Sequence, residues 1–175
     1  RNASELFINQ GDGTFVEVAE KLGLQLFTYV KGTVWGDVNN DGLPDLYVSN
    51  YNVANQLFIN RGGTSMEDWK FEEVGQMAGV GEPEYSFTTW FWDYDQDGWQ
   101  DILVFGYDNR KAYAISDEIA KEMLGKEISG EYPRLYKNNR DETFTDVTEE
   151  QNLQKLLYSM GGNFGDLDND GYPDF

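Results

Sequence analysis

Three segments of the chain share one nine-residue pattern, D-x-[DN]-x-D-G-x-x-D, each flanked by runs of apolar, β-branched and aromatic residues. They read DVNNDGLPD at 37–45, DYDQDGWQD at 93–101 and DLDNDGYPD at 166–174. Their starts, Asp37, Asp93 and Asp166, lie 56 and then 73 residues apart. Ordinary turns also use Asp, Asn and Gly, but a turn needs no carboxylate at a fixed ninth position. Recurrence in one register therefore marks a repeated structural unit.

A second unit alternates with the first. It reads LFINQGDGTFVEV at 6–18, LFINRGGTSMEDWKFEEV at 57–74 and LYKNNRDETFTDV at 135–147. Each copy is an alternating strand, a polar turn and a second alternating strand, which predicts a β-hairpin. The middle copy has the longer tip, a place where extra length costs little. Gly11-Asp12-Gly13 is read as a hairpin turn only.

An apolar strand also enters each acidic loop and a β-rich strand leaves it, so each period holds four strands. The expected fold class is all-β, a β-propeller of four-stranded antiparallel blades, with a sandwich or meander as the alternative. The expected divisions are 1–29 as the end of a blade, 30–80 as a blade with the first loop, 81–150 as a blade with the second, and 151–175 as the start of another. The longer second period carries an insert at 107–133 with one helix candidate. Ser116 is its expected cap, Asp117 and Glu118 its first turn, Ile119, Met123 and Leu124 its apolar face and Gly125 its stop. Such an insert is either decoration or a ligand-binding loop. The run Trp90, Phe91, Trp92 and Tyr94 reads as core in preference to a sugar platform.

The acidic loops carry the chemistry. Calcium takes six to eight oxygen ligands at about 2.3–2.6 Å in a flexible shell. Carboxylates at positions 1, 3 and 5 converge when a loop winds around an ion, Gly at position 6 permits the sharp turn, and a carbonyl at 7 with a carboxylate at 9 completes the set. Loop one supplies Asp37, Asn39, Asp41, the Leu43 carbonyl and Asp45; loop two supplies Asp93, Asp95, Asp97, the Trp99 carbonyl and Asp101. Loop three supplies Asp166, Asp168, Asp170, the Tyr172 carbonyl and Asp174. Three Ca²⁺ sites are expected. An EF-hand shares the first six positions but requires Glu at position 12 between helices. The twelfth residues here are Val48 and Val104, each in a predicted strand. Magnesium keeps more of its water and suits fewer carboxylates.

Composition narrows the rest. The 175 residues hold 32 acidic and 13 basic side chains, a formal charge of −19, which disfavours nucleic acid and anionic membrane surfaces as partners. Acidity of this order also occurs in disordered chains, but an aromatic content of 15% supplies a core. With 0 His and 0 Cys, no disulfide, thiol nucleophile, Cys/His zinc site or His-based triad is available. No stretch approaches the roughly 20 apolar residues of a spanning helix.

Strands enclosing this nonapeptide resemble the FG-GAP/VCBS repeats of integrin α-subunit propellers and of many bacterial surface proteins. The hairpin LFINQGDGTFVEV and the stretch EYSFTTWFWDYDQDGWQD at 84–101 resemble more closely the cartilage acidic protein-like group, often associated with an ASPIC/UnbV module. The resemblance implies a calcium-stabilised propeller in a secreted, extracellular or cell-surface protein (periplasmic or outer-surface in a bacterium), used for adhesion or ligand binding. Its metal-loop positions fall on the fifteen residues named above. The FG of the integrin motif is kept in Phe164-Gly165 and half kept in Trp35-Gly36, and no ASPIC/UnbV segment is seen.

About two full blades and parts of two more are expected in the chain, fewer than the four to eight that close a propeller. Arg1 is not a natural start, so an export signal is expected to lie outside this sequence. Asn2-Ala3-Ser4 is a glycosylation sequon with meaning only in a secreted eukaryotic protein. Three functions fit these residues. The first is an extracellular, non-enzymatic interaction or adhesion module with a protein or glycan ligand; the second a carbohydrate-binding or polysaccharide-cleaving propeller; the third a scaffold for neighbouring domains. No catalytic residue stands out from the metal loops.

Overall fold

The computed structural model describes residues 3–108, 110 and 115–175. Asn2 of the sequon and part of the 107–133 insert lie outside them. Among the described residues, β1 (Phe7–Asn9) and β2 (Phe15–Glu17) form one antiparallel hairpin. Strands β3 (Val30–Gly36), β4 (Asp45–Asn50), β5 (Gln56–Asn60) and β6 (Phe71–Glu73) follow as one four-stranded sheet in sequence order. Strands β7 (Ser86–Trp92), β8 (Asp101–Gly106), β9 (Arg134–Asn138) and β10 (Phe144–Asp146) repeat that order in a second sheet. All pairings are antiparallel, and the structure is all-β with short helices.

The second strand of each sheet explains why these stretches are so apolar. Every residue of β4 and of β8 is buried, as expected of strands covered on both faces. Tyr47, Leu57 and Ile59 of one sheet meet Phe91, Ile102 and Tyr136 of the other in a shared core. Trp90 and Trp92 are buried on the far face of the second sheet with Leu103 and Leu135, so the aromatic run is core. The two first strands, β3 and β7, run close together. A Cβ at Gly32 of β3 would fall 2.7 Å from the Phe87 carbonyl oxygen of β7, a distance no side chain tolerates.

Each hairpin is followed by a single helical turn that the strand pattern does not announce. These are α1 (Ala19–Leu22) and α2 (Gly75–Ala78), with a third turn at residues 148–152. Each ends on a left-handed residue, Gly23 (φ 76°), Gly79 (φ 78°) or Asn152 (φ 57°). The next amide then reaches back five residues: Leu24 to the Ala19 carbonyl at 2.8 Å, Val80 to Gly75 at 3.1 Å and Leu153 to Thr148 at 2.9 Å. The middle hairpin tip holds a 3₁₀ turn at Met66–Asp68.

The insert contains α3 (Ile115–Met123), but its details differ from expectation. Ser116 lies inside the first turn of the helix, so it does not cap it. Met123 and Leu124 are exposed, and the residue α3 buries is Glu118. Its carboxylate accepts from Lys121 Nζ at 2.8 Å and from the Ser129 amide at 2.6 Å, which holds it well below the usual range, at about 2. A charged side chain is tolerated inside because both oxygens are bonded. Gly125, at φ 64°, terminates the turn. Among the described residues no helix is long and apolar enough to cross a membrane.

Candidate metal centre

The acidic loops lie where the first strand of a sheet hands over to the second. Loop one joins β3 to β4, and Gly36 pairs with Asp45 across its base. Loop two joins β7 to β8, and Trp92 pairs with Asp101. Loop three is closed by the same pairing, Gly165 with Asp174. In all three the residue before position 1 therefore faces position 9.

Inside each loop the hydrogen bonds that positions 1 and 5 accept from the loop's own amides repeat. Position 1 accepts two amides. Asp37 takes Asp41 N at 3.1 Å and Gly42 N at 2.8 Å; Asp93 takes Asp97 N and Gly98 N at 2.9 Å each; Asp166 takes Asp170 N at 3.1 Å and Gly171 N at 3.0 Å. Position 5 accepts the amide of position 7, from Leu43 (2.8 Å), Trp99 (3.0 Å) and Tyr172 (2.8 Å). Position 4 is left-handed in Asn40, Gln96 and Asn169, and position 6 in Gly42, Gly98 and Gly171. Two left-handed residues in three explain the Asn/Gln and Gly at these places.

Position 9 has a second duty. Asp45 accepts Val38 N at 2.9 Å with one oxygen and Asn60 N of β5 at 2.8 Å with the other. Asp101 repeats this with Tyr94 N at 3.2 Å and Asn138 N of β9 at 2.8 Å. Asp174 accepts Leu167 N at 2.8 Å. Burial pushes Asp45 and Asp101 up to about 6, against the pull of those amides. A carboxylate so placed carries its charge at a cost unless a cation is near.

The loops also touch one another. Asn40 Nδ2 donates to the Gly98 carbonyl at 3.1 Å, and Gln96 Nε2 donates to the Gly171 carbonyl. All three thus line up side by side. Asn138 locks loop one to loop two, its Nδ2 donating to the carbonyls of Val38 at 2.7 Å and Gln100 at 2.9 Å while its Oδ1 accepts Arg140 N at 2.8 Å. The equivalent Asn9 makes only the tip bond, to Gly11 N at 2.8 Å. Asn138→Ala should accordingly cost about 1–3 kcal/mol in urea unfolding, because it strands buried carbonyls, and Asn9→Ala well under that. Equal costs would refute the bridging role.

Loops two and three bring three carboxylates to one point. Asp93, Asp95 and Asp101 each offer an oxygen within 4.8 Å of the others, and so do Asp166, Asp168 and Asp174. In loop two Asp95 Oδ1 is buried without a hydrogen-bond partner in the protein. Loop one differs at position 3, where Asn39 donates to Asp41 at 3.0 Å and to Glu142 at 3.3 Å. The position-7 residues Leu43, Trp99 and Tyr172 sit at the loop exits, each tied through its amide.

Sequence reasoning missed the partners that reach these loops from the hairpins. Arg61 grips Glu142 with both Nη atoms, at 2.5 and 2.7 Å, and so holds it against Asn39. Lys137 pairs with Asp95, and Arg140 Nη2 meets Asp97 at 2.8 Å. Arg140 holds the Asp97 carboxyl below the usual range. Asn60 and Asn138 were visible in sequence as the fixed Asn closing each LFxN-type strand.

The repeating unit running from one loop to the next has a counterpart among known families. The FG-GAP-like repeat matches this chain three times, over residues 1–48, 37–104 and 93–175. The chain belongs to the FG-GAP-like repeat family. Successive FG-GAP-like repeats overlap on the acidic loops, the second beginning at Asp37 and the third at Asp93. Loops one and two are thus each shared by two FG-GAP-like repeats, and loop three lies within the third. No curated protein matches the chain.

Proposed function

We propose that the two four-stranded sheets are consecutive blades of a β-propeller, that each acidic loop holds one Ca²⁺, and that the chain is an extracellular interaction or adhesion module rather than an enzyme. The observation that carries this reading is the convergence of Asp93, Asp95 and Asp101, with one Asp95 oxygen buried and unpartnered. An all-oxygen, carboxylate-rich donor set is what a hard divalent cation takes. The ligands would be Asp93, Asp95, Asp97, the Trp99 carbonyl and Asp101 in loop two, and Asp166, Asp168, Asp170, the Tyr172 carbonyl and Asp174 in loop three. Loop one would use Asp37, Asn39, Asp41, the Leu43 carbonyl and Asp45. A bound ion supplies charge neutralisation and ties the loop to the strands on either side.

Calcium modules of the extracellular class bind at about 10⁻⁴–10⁻³ M, which matches a home outside the cell. The grouping with cartilage acidic protein-like, ASPIC/UnbV-associated proteins belongs to the same proposal, as does a protein or glycan ligand. At millimolar calcium, isothermal titration should register three ions, and Asp95→Ala should remove one and leave the others. An unchanged stoichiometry in Asp95→Ala would refute the site assignment.

A further inference from the structure

The three hairpins share one strand, Leu-Phe-Ile-Asn at 6–9, the same at 57–60, and Leu-Tyr-Lys-Asn at 135–138. Lys137 therefore stands where the other two copies have Ile8 and Ile59. Ile59 is fully buried in the core between the sheets. Lys137 instead sends its ammonium to Asp95 Oδ2 in loop two, 6.0 Å from the Tyr94 ring centroid. Three residues on, Arg140 reaches Asp97 of the same loop at 2.8 Å, where the second hairpin has Gly62. Loop one receives nothing comparable. Its hairpin presents Ile59 and Gly62 at these places, and Arg61 spends its guanidinium on Glu142 and Glu72.

We infer that Lys137, assisted by Arg140, is an internal counter-ion that sets the calcium affinity of loop two. The inference rests on the calcium reading above. While loop two holds no divalent ion, the ammonium pairs with Asp95 Oδ2, leaves Oδ1 open and helps keep the loop wound. A Ca²⁺ entering among Asp93, Asp95 and Asp101 would take the open Asp95 Oδ1 and meet that fixed positive charge across the same carboxylate. Like charges a few ångströms apart in a half-buried setting repel strongly, and that repulsion is subtracted from the binding free energy. By linkage, the bound ion loosens Lys137 as much as Lys137 opposes the ion. Loop two is thus an adjustable member of the series, weakened by one substitution in a core strand. Lys137 is a positioning residue: it acts through Asp95 and need not touch the metal.

The test is a terbium titration followed by luminescence sensitised through tryptophan. Trp99 occupies position 7 of loop two, whereas loops one and three carry Leu43 and Tyr172 there. The phase that Trp99→Phe removes is therefore assigned to loop two. Lys137→Met, which restores the aliphatic character of Ile8 and Ile59, should tighten that phase on the order of tenfold and leave the others unchanged. Lys137→Arg, which keeps the charge, should stay near wild type. Arg140 is half exposed, so Arg140→Gln should tighten it by only about two- to threefold. An Lys137→Met phase within about twofold of wild type, with stoichiometry intact, would overturn the counter-ion role and leave the calcium reading standing. If Lys137→Met fails to fold, Lys137→Gln is read in its place against the same limits. Terbium binding nowhere in wild type would overturn the calcium reading, and this inference with it.

Discussion

Removing calcium is expected to lower the melting temperature by about 5–10 °C for each ion lost, and by more when all three loops are stripped together. Two quantities give that figure. An ion that binds only the folded state stabilises it by about 2.7 kcal/mol at 100 times its dissociation constant. In a domain of this size, 1 kcal/mol moves the midpoint by about 2–4 °C. The direction follows from charge. The chain carries 32 acidic side chains against 13 basic ones. Loops two and three gather four carboxylates each, and loop one gathers three. Apart from Asp95 and Asp97, which Lys137 and Arg140 pair in loop two, these groups relieve their repulsion without a cation only by taking up protons or by opening the loop. The measurement is calorimetry with calcium at about 100 times its dissociation constant, in EGTA, and in magnesium. Magnesium should not rescue the loss, since it demands near-octahedral geometry and holds its water. One melting temperature under all three conditions would overturn both the structural role of calcium and the argument for an extracellular home.

The strands and acidic loops were legible because their signals are local. Period-two alternation marks β1, β2, β6 and β10, and continuous apolar runs mark the buried strands β4 and β8. The Asp/Asn/Gly pattern of each loop encodes its own winding, since every backbone amide bound by positions 1 and 5 lies within the nonapeptide. The one-turn helices escaped notice for the opposite reason. A four-residue helix has no periodicity to read, although Val18 to Leu24, Val74 to Val80 and Val147 to Leu153 do form a repeat ending in a left-handed Gly or Asn. Helix α3 was found, but its apolar face is not what it buries: Met123 and Leu124 are exposed and the bonded carboxylate of Glu118 is buried. Contacts between segments far apart in the chain were not legible at all. Glu142 lies 103 residues from Asn39, and Lys137 lies 42 from Asp95, so only the packed sheets bring them together. Position 9 was read as a ligand alone. Its bonds to Asn60 and Asn138 depend on the third strand of each sheet, which the loop sequence does not mention.

That double duty leads to the second large effect. Asp101→Ala should cost about 2–4 kcal/mol in urea unfolding, in EGTA as well as in calcium. The alanine leaves Tyr94 N and Asn138 N without their acceptor, and both amides sit where the loop meets the second and third strands. Against this stands a gain, because burial has already pushed the Asp101 carboxyl up to about 6 and its removal takes away a costly charge. The unpaired amides outweigh that gain, since each buried donor left open costs about 1–3 kcal/mol. Asp101→Asn separates the two terms: it keeps the shape and one acceptor oxygen, removes the charge, and should cost less than alanine in EGTA. Asp97→Ala is the complementary case. Asp97 sits at position 5, where its bonds go to the Trp99 amide and to the half-exposed Arg140. It should abolish binding in loop two while lowering stability in EGTA by only about 1 kcal/mol. If Asp101→Ala and Asp97→Ala prove equally mild in EGTA, position 9 is merely another ligand, and the loop does not hang from the third strand through its carboxylate.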